Sequence, residues 1–324
     1  MIKITFLKSL NSFLQKRMYL VVLTGIICGL LFSPWLFSGK PAVPWVFAFM
    51  TLTLALGTGF KDLKGVLQFP LPLLLTLFCL HGISPLFSYT LGKICYGSDS
   101  LLTAGLVLTA AIPVGVTSVI WVGLAGGHIP LALTNVTVDS LLSPIMVPLI
   151  VSLFLGEAVT FDAQDMFYGL FQMIVLPTLL GVAIHDLGGD KIAKMDRWWL
   201  NLLSKLGLSF VVGVNVATSK EYLYTAGPRI LTLFFVLLIM ISFNFALGYV
   251  AARFAKYPRN LVRTLLFQVG LRNISAGIVI ASNYFPPAAA LPCVVALLIQ
   301  QPTASIIMHF LEKPSATAGI TKEN

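Results

Sequence analysis

The chain has 324 residues, 57% of them apolar and 10% charged, with 21 Lys+Arg against 12 Asp+Glu, a net charge of +9 and a mean hydropathy of +0.92. Soluble domains carry about 25% charged residues, so this composition excludes a soluble globular enzyme and points to an integral membrane protein. A charge of +9 would suggest a nucleic-acid partner for a soluble chain, but here its meaning depends on where the charges fall between apolar runs.

A basic leader, residues 1–17, carries Lys3, Lys8, Lys16 and Arg17. The apolar run that follows, 18–37, is too long for a signal-peptide core. Ser38-Gly-Lys-Pro41 also lacks a small-x-small cleavage pattern, so the run is read as a first span that is retained. Further runs able to cross roughly 30 Å of hydrocarbon as helix fall near 42–59, 70–91, 101–126, 129–155, 165–185, 198–217, 230–252, 262–283 and 288–311. They lack the period-two alternation of a membrane barrel, and their backbone polar groups can be satisfied in lipid only as helix. The expected fold is an all-α integral membrane protein with ten transmembrane helices. Cys28, Cys79, Cys95 and Cys293 form no CxxC pair, so neither disulfides, a metal site nor a cofactor is indicated.

Assigning the loops alternately puts fifteen positive residues on one side: the leader, Lys61, Lys64, Lys191, Lys194, Arg197, Arg253, Lys256, Arg259, Arg263, Lys313 and Lys322. Lys40, Lys93, Lys220 and Arg229 fall on the other. The positive-inside rule then places both termini in the cytoplasm, for a multi-pass protein of the plasma (inner) membrane. The net charge becomes a topology signal and not a nucleic-acid surface.

The halves echo each other at a shift of about 155 residues. Pro113-Val-Gly-Val-Thr-Ser118 interrupts the fourth span and Gln268-Val-Gly-Leu-Arg-Asn273 the ninth. Leu141-Leu-Ser-Pro144 in the fifth faces Ile299-Gln-Gln-Pro302 in the tenth. Five spans per half is an odd number, so the repeat is inverted. Interrupted helices at matching positions of inverted halves mark the site of a secondary transporter, with spans four and nine crossing at the midplane.

Two charges lie deep in spans. A central Asp or Arg costs about 2.5–3.5 kcal/mol on insertion scales, so something must offset Asp139 in span five and Arg272 at the break of span nine. Asn135 and Ser143 stand one turn before and after Asp139 on the same helix face; Gln268 and Asn273 flank Arg272. These two polar stripes, with Thr117 and Ser118, are expected to meet where the broken helices cross and to line a polar pathway. The alternative is an Asp139–Arg272 ion pair that only locks the bundle. Lys205 is expected to snorkel from its helix in a structural role. His81, in Phe78-Cys-Leu-His-Gly-Ile-Ser-Pro85, is expected either to join the polar core and shuttle protons or to bond a neighbouring helix.

With these motifs assembled, the chain resembles the bile acid:sodium symporter family. The similarity rests on Met50-Thr-Leu-Thr-Leu-Ala-Leu-Gly-Thr-Gly-Phe-Lys-Asp-Leu63, Ala111-Ile-Pro-Val-Gly-Val-Thr-Ser118, Ser140-Leu-Leu-Ser-Pro144 and Gln268-Val-Gly-Leu-Arg-Asn273. It implies a panel of spans one, two, six and seven (residues 18–66 and 163–226) and a core of spans three to five and eight to ten (67–162 and 227–312). A tail would follow at 313–324, and organic anions would pass along the crevice between the two parts. The resemblance also assigns two sodium ions to side chains that differ here. The family's Glu and Gln in the ninth span are Gln268 and Arg272, and the Asn after Ser118 is Val119. Ligand positions in span five fall on Ala132 and Val136, and the Gln of span three falls on Leu80. Apolar side chains offer a hard cation no oxygen.

Charge counting extends this. One Glu and two sodium ions sum to +1 in the family; here Arg272 supplies +1 without an ion, and Asp139 brings the sum to zero when ionised and +1 when protonated. The expectation is a secondary transporter of a small organic anion, sodium-independent and either proton-coupled through Asp139 or facilitated. The partners expected are the anion, the lipid bilayer and a proton or sodium co-ion. A sodium-coupled symporter with remodelled sites and a cation/proton antiporter are the alternatives. An intramembrane enzyme is disfavoured because no mid-span GxSxG, paired Asp or HExxH occurs.

Overall fold

Lipid cannot hydrogen-bond the backbone, so long apolar runs fold as helices that satisfy their polar groups internally, and the computed structural model of this chain is built in that way. It describes residues 2–16, 18–57, 59, 70–97, 101–156, 161–193, 195–218, 220, 227 and 229–312. Arg17, Lys61, Lys64, Lys194, Lys313, Lys322 and the tail 313–324, which entered the sidedness count or the two-part division, lie outside the described residues.

The helices are α1 (Ile2–Lys16), α2 (Met18–Leu31), α3 (Val43–Ala55), α4 (Pro70–Tyr96), α5 (Leu101–Ala111), α6 (Thr117–Leu124) and α7 (Ile129–Leu155). They continue as α8 (Ala163–Gly189), α9 (Trp198–Thr218), α10 (Arg229–Phe254), α11 (Arg259–Gly270), α12 (Ile274–Tyr284) and α13 (Leu291–Glu312). Among the described residues six segments are long and apolar enough to cross a membrane: α4, α7, α8, α9, α10 and Pro287–Leu311; shorter apolar helices accompany them. Large apolar side chains turn outward, Trp35 being 83% and Trp45 79% exposed, as lipid-facing residues are. The protein is a multi-pass, all-helical membrane protein.

Three elements depart from regular helix near a proline. The run expected at 18–37 stops at Leu31 and restarts as a short helix, Ser33–Phe37, with Pro34 in its first turn. In α4 the residues Cys79–Ile83 form a π turn, and in α8 Phe171–Val175 do the same. The first precedes Pro85 and the second Pro177, whose missing N–H groups leave the α ladder one donor short.

One group of helices packs α2 on α9, α3 on α9 and α8 on α3; the other packs α10 on α11, α4 on α5 and α13 on α5 and α10. Small residues allow the tightest of these contacts. Gly25-Ile-Ile-Cys-Gly29 presents two glycines, four residues apart, to α9, where a Cβ at Gly25 would meet the Ser209 carbonyl at 2.5 Å and one at Gly29 the Gly213 carbonyl at 2.6 Å. The amphipathic α1 lies against α9, held by a hydrogen-bonded ion pair between Lys8 and Asp196. That bond keeps the exposed Asp196 carboxyl below its ordinary pKa.

Candidate functional site

The two interrupted helices meet at their interruptions. Pro113 cannot donate and disfavours helix at Ile112, so α5 ends there and α6 restarts at Thr117. No proline marks the second break: Leu271 is extended (φ −116°, ψ 109°), and Asn273 caps α12 by accepting from the Ala276 N–H at 3.3 Å. Val114 and Arg272 pair as one antiparallel bridge. The Gly115 N–H donates to the Leu271 carbonyl and the Asn273 N–H to that of Pro113, both at 2.8 Å. A Cβ at residue 115 would stand 2.7 Å from the Arg272 carbonyl oxygen, which explains the glycine.

Backbone groups freed at the breaks would be costly in lipid, and buried charged side chains satisfy them. The Val114 N–H donates to Asp139 Oδ2 at 2.5 Å, while Asp139 Oδ1 lies 2.5 Å from His81 Nε2. Arg272 donates through Nη1 to the Ile112 carbonyl at 3.2 Å and through Nη2 to that of Leu80 at 2.9 Å. The π turn explains the second acceptor. The Ser84 N–H reaches back to Cys79, and the next possible donor is Pro85, so the Leu80 carbonyl has no partner within its own helix. In the second half Gln300 clamps Arg272's own peptide, accepting from its N–H at 2.8 Å and donating to its carbonyl at 3.0 Å. Among the described residues Asp139 and Arg272 make no ion pair with each other within 4.0 Å: Asp139 bonds the first break and His81, while Arg272 bonds the first break and α4 and keeps its Nε without a partner.

The remaining expected residues divide. Thr117, Asn273 and Arg272 line a cavity of about 660 Å³ between the crossing and helices α2, α3, α8 and α9. Gln268 is buried and donates from Nε2 to Ser118 Oγ at 2.7 Å, tying α11 to α6 behind the cavity. Asn135 donates to Thr76 Oγ1 at 3.4 Å and Ser143 to the carbonyl of Ser140 at 2.7 Å. Both share a face with Asp139, as expected, but that face meets α4. The cavity receives the neighbouring stripe of Leu133, Val136, Thr137 and Ser140. Sequence reasoning passed over Thr137 and Ser275, noted Ser140 only as part of a family motif and Gln300 and Gln301 only as an echo, and set Lys205 aside; all line the cavity. The signals were there in the polar residues beside Pro144 and Pro302 and in a lysine within an apolar span.

Three positions that the family resemblance assigns to sodium ligands come together. Leu80 and Val136 form a buried apolar cluster with Val114, and Val119 packs against it. No acidic side chain lines the cavity among the described residues, whereas Lys205 and Arg272 do. The first turns of α6 and α12 contribute Thr117 and Ser275, so two helix N-termini with partial positive charge also border the space.

Comparison with known proteins places this architecture. The model of the sodium bile acid symporter family matches residues 43–226. The chain is 34% identical over 300 residues to the uncharacterized protein YbaS of Bacillus subtilis, covering 91% of this chain and 97% of that protein. The chain belongs to the sodium bile acid symporter family. A second B. subtilis relative, named an uncharacterized sodium-dependent transporter, YocS, is 23% identical over 86% of this chain and 87% of its own. A rice protein named a probable sodium/metabolite cotransporter, chloroplastic BASS1, is 23% identical over 89% of this chain and 74% of its own. Membership in the sodium bile acid symporter family makes the chain a transporter and not an enzyme.

Proposed function

We propose that the chain is a secondary active transporter of a small organic anion, working by alternating access and without sodium. The observation that carries the reading is the apolar cluster of Leu80, Val119 and Val136 at positions where the family resemblance expects oxygen ligands, beside the fixed positive charge of Arg272. Methyl groups cannot replace the hydration shell of a hard cation, and a tethered guanidinium supplies the charge the ion would bring. Anion selectivity is supported by a cavity bordered by two cations, two helix N-termini and no acidic side chain among the described residues.

In this reading ten helical spans form two inverted five-span repeats, the interruptions being spans four and nine. The panel (18–66 and 163–226) moves against the core (67–162 and 227–312), in a plasma membrane with both termini cytoplasmic. The helix packing described above is compatible with that division. Asp139, in contact with His81, is the group that takes up the coupling proton. A proton there leaves Arg272 uncompensated at the crossing and favours an anion in the cavity.

Uptake of organic acids into proteoliposomes tests both parts. Stimulation by an imposed pH gradient and none by a sodium gradient is expected; strong sodium stimulation without a pH effect overturns the reading in favour of a sodium-coupled symporter. Asp139→Asn is expected to lose the pH-driven component and keep counterflow exchange. Loss of binding as well would assign Asp139 to holding the break alone.

A further inference from the structure

Lys205 lies in α9 and lines the same cavity as the residues of the helix crossing. Snorkelling would carry its ammonium out to the interface, yet the residue is only 5% exposed. Its Nζ lies 2.6 Å from Asn11 Oδ1 and 3.5 Å from the Asn201 carbonyl oxygen, both neutral acceptors. Among the described residues no carboxylate pairs with it; Asp196, near the start of the same helix, is taken by Lys8. Beside it Ser204 holds a buried hydroxyl with no hydrogen-bond partner. A buried ammonium without a counter-ion is costly, and the cost is offset when a ligand brings the missing negative charge.

The other cation cannot do this in the same way. Both Nη groups of Arg272 are committed to the Ile112 and Leu80 carbonyls, leaving only Nε without a partner, and Asp139 bonds the same break. Lys205 is therefore the uncompensated charge in the cavity lining. Apolar side chains including Phe47, Leu54, Ile174, Leu208 and Leu297 share the lining with Thr51, Thr53 and Thr178, whose hydroxyls are spent on carbonyls of their own helices.

We propose that Lys205 binds the anionic head of the transported solute, with Asn11 as the neutral acceptor that the head displaces and Ser204 as an added donor. The solute class that fits is an organic monoanion, with one carboxylate-type head and an apolar body laid along the cavity toward the breaks. This deepens the function proposed above and rests on it, since it takes the cavity as the solute site.

The test is thermal stabilisation of the detergent-purified full chain by phenylacetate, 4-phenylbutyrate and 2-naphthylacetate, each compared with its primary amide. Wild type is expected to bind at least one acid about tenfold or more tightly than its amide, the size of a charge-assisted hydrogen bond. Lys205→Met is expected to bind acid and amide alike, and Lys205→Arg to keep the preference. Asn11→Asp, a change on α1 that places a carboxylate against Nζ, is expected to abolish the preference without altering the spans. An unchanged preference in both Lys205→Met and Asn11→Asp overturns the role of Lys205 and leaves the cavity reading standing. Absence of stabilisation by every acid and every amide in wild type overturns the cavity reading, and this inference with it.

Discussion

The two breaks at the crossing solve one problem with different chemistry. At the first, a proline and a glycine halt the helix, and the freed Val114 N–H is taken by a carboxylate, Asp139, which also contacts His81. At the second there is no proline, and the Arg272 peptide is clamped on both sides by the neutral amide of Gln300. An amide holds its break in the same way at any pH. A carboxylate loses an acceptor when it gains a proton, so only the first break can respond to protonation. The two breaks pair through the same backbone bridge and differ in the side chains that hold them.

The sharpest way to break this contrast is to remove each clamp in turn. Asp139→Ala strands the Val114 N–H and leaves Arg272 without its acidic neighbour; a loss of about 3–5 kcal/mol is expected, the size found when one partner of a buried charged network is deleted. Unfolding of the detergent-solubilised protein, followed by loss of helical signal, reads it directly. Asp139→Asn retains an acceptor oxygen and is expected to lose much less. Gln300→Leu removes two neutral hydrogen bonds and should cost about 1–3 kcal/mol, with no dependence on pH. A Gln300→Leu loss equal to that of Asp139→Ala would erase the distinction between the breaks.

The smallest effect lies at the periphery. Asp196 has a lowered pKa because Lys8 donates to it, so the contribution of this pair to docking α1 is fully present above the ordinary carboxylate range. It is lost as pH falls through the lowered folded value. Protease cleavage within α1 should therefore accelerate at acid pH in wild type, and Asp196→Asn should cleave at the faster rate already at neutral pH.

The breaks were partly legible in the sequence. Pro113 and Gly115 announced the first through their backbone chemistry, and Arg272 drew notice to the second because a charge in lipid demands compensation. The i, i+4 rule correctly put Asn135, Asp139 and Ser143 on one face. It could not show which neighbour that face meets. Helix α7 is apolar on nearly every side, so no amphipathic stripe sets its rotation about its own axis. A turn of about 100° per residue separates the face bonded to α4 from the face open to the cavity. Nor could spacing reveal that Lys205 stays inside, because a lysine near a helix end has room to reach either way.

The π turn in α4 carries one residue more than an α-helix needs, and that surplus sets the phase of everything after it. Deleting Cys79 would restore regular helix, with Ser84 donating to Leu80, and rotate the following segment, Ser84–Tyr96, by about 100° against its present neighbours. The Leu80 carbonyl would regain a donor in its own helix and release the guanidinium that now fastens α4 to the second break. A lone inserted residue thus serves as the peg coupling this helix to the opposite half of the protein. Its removal would uncouple them while leaving every charged side chain of the crossing in place.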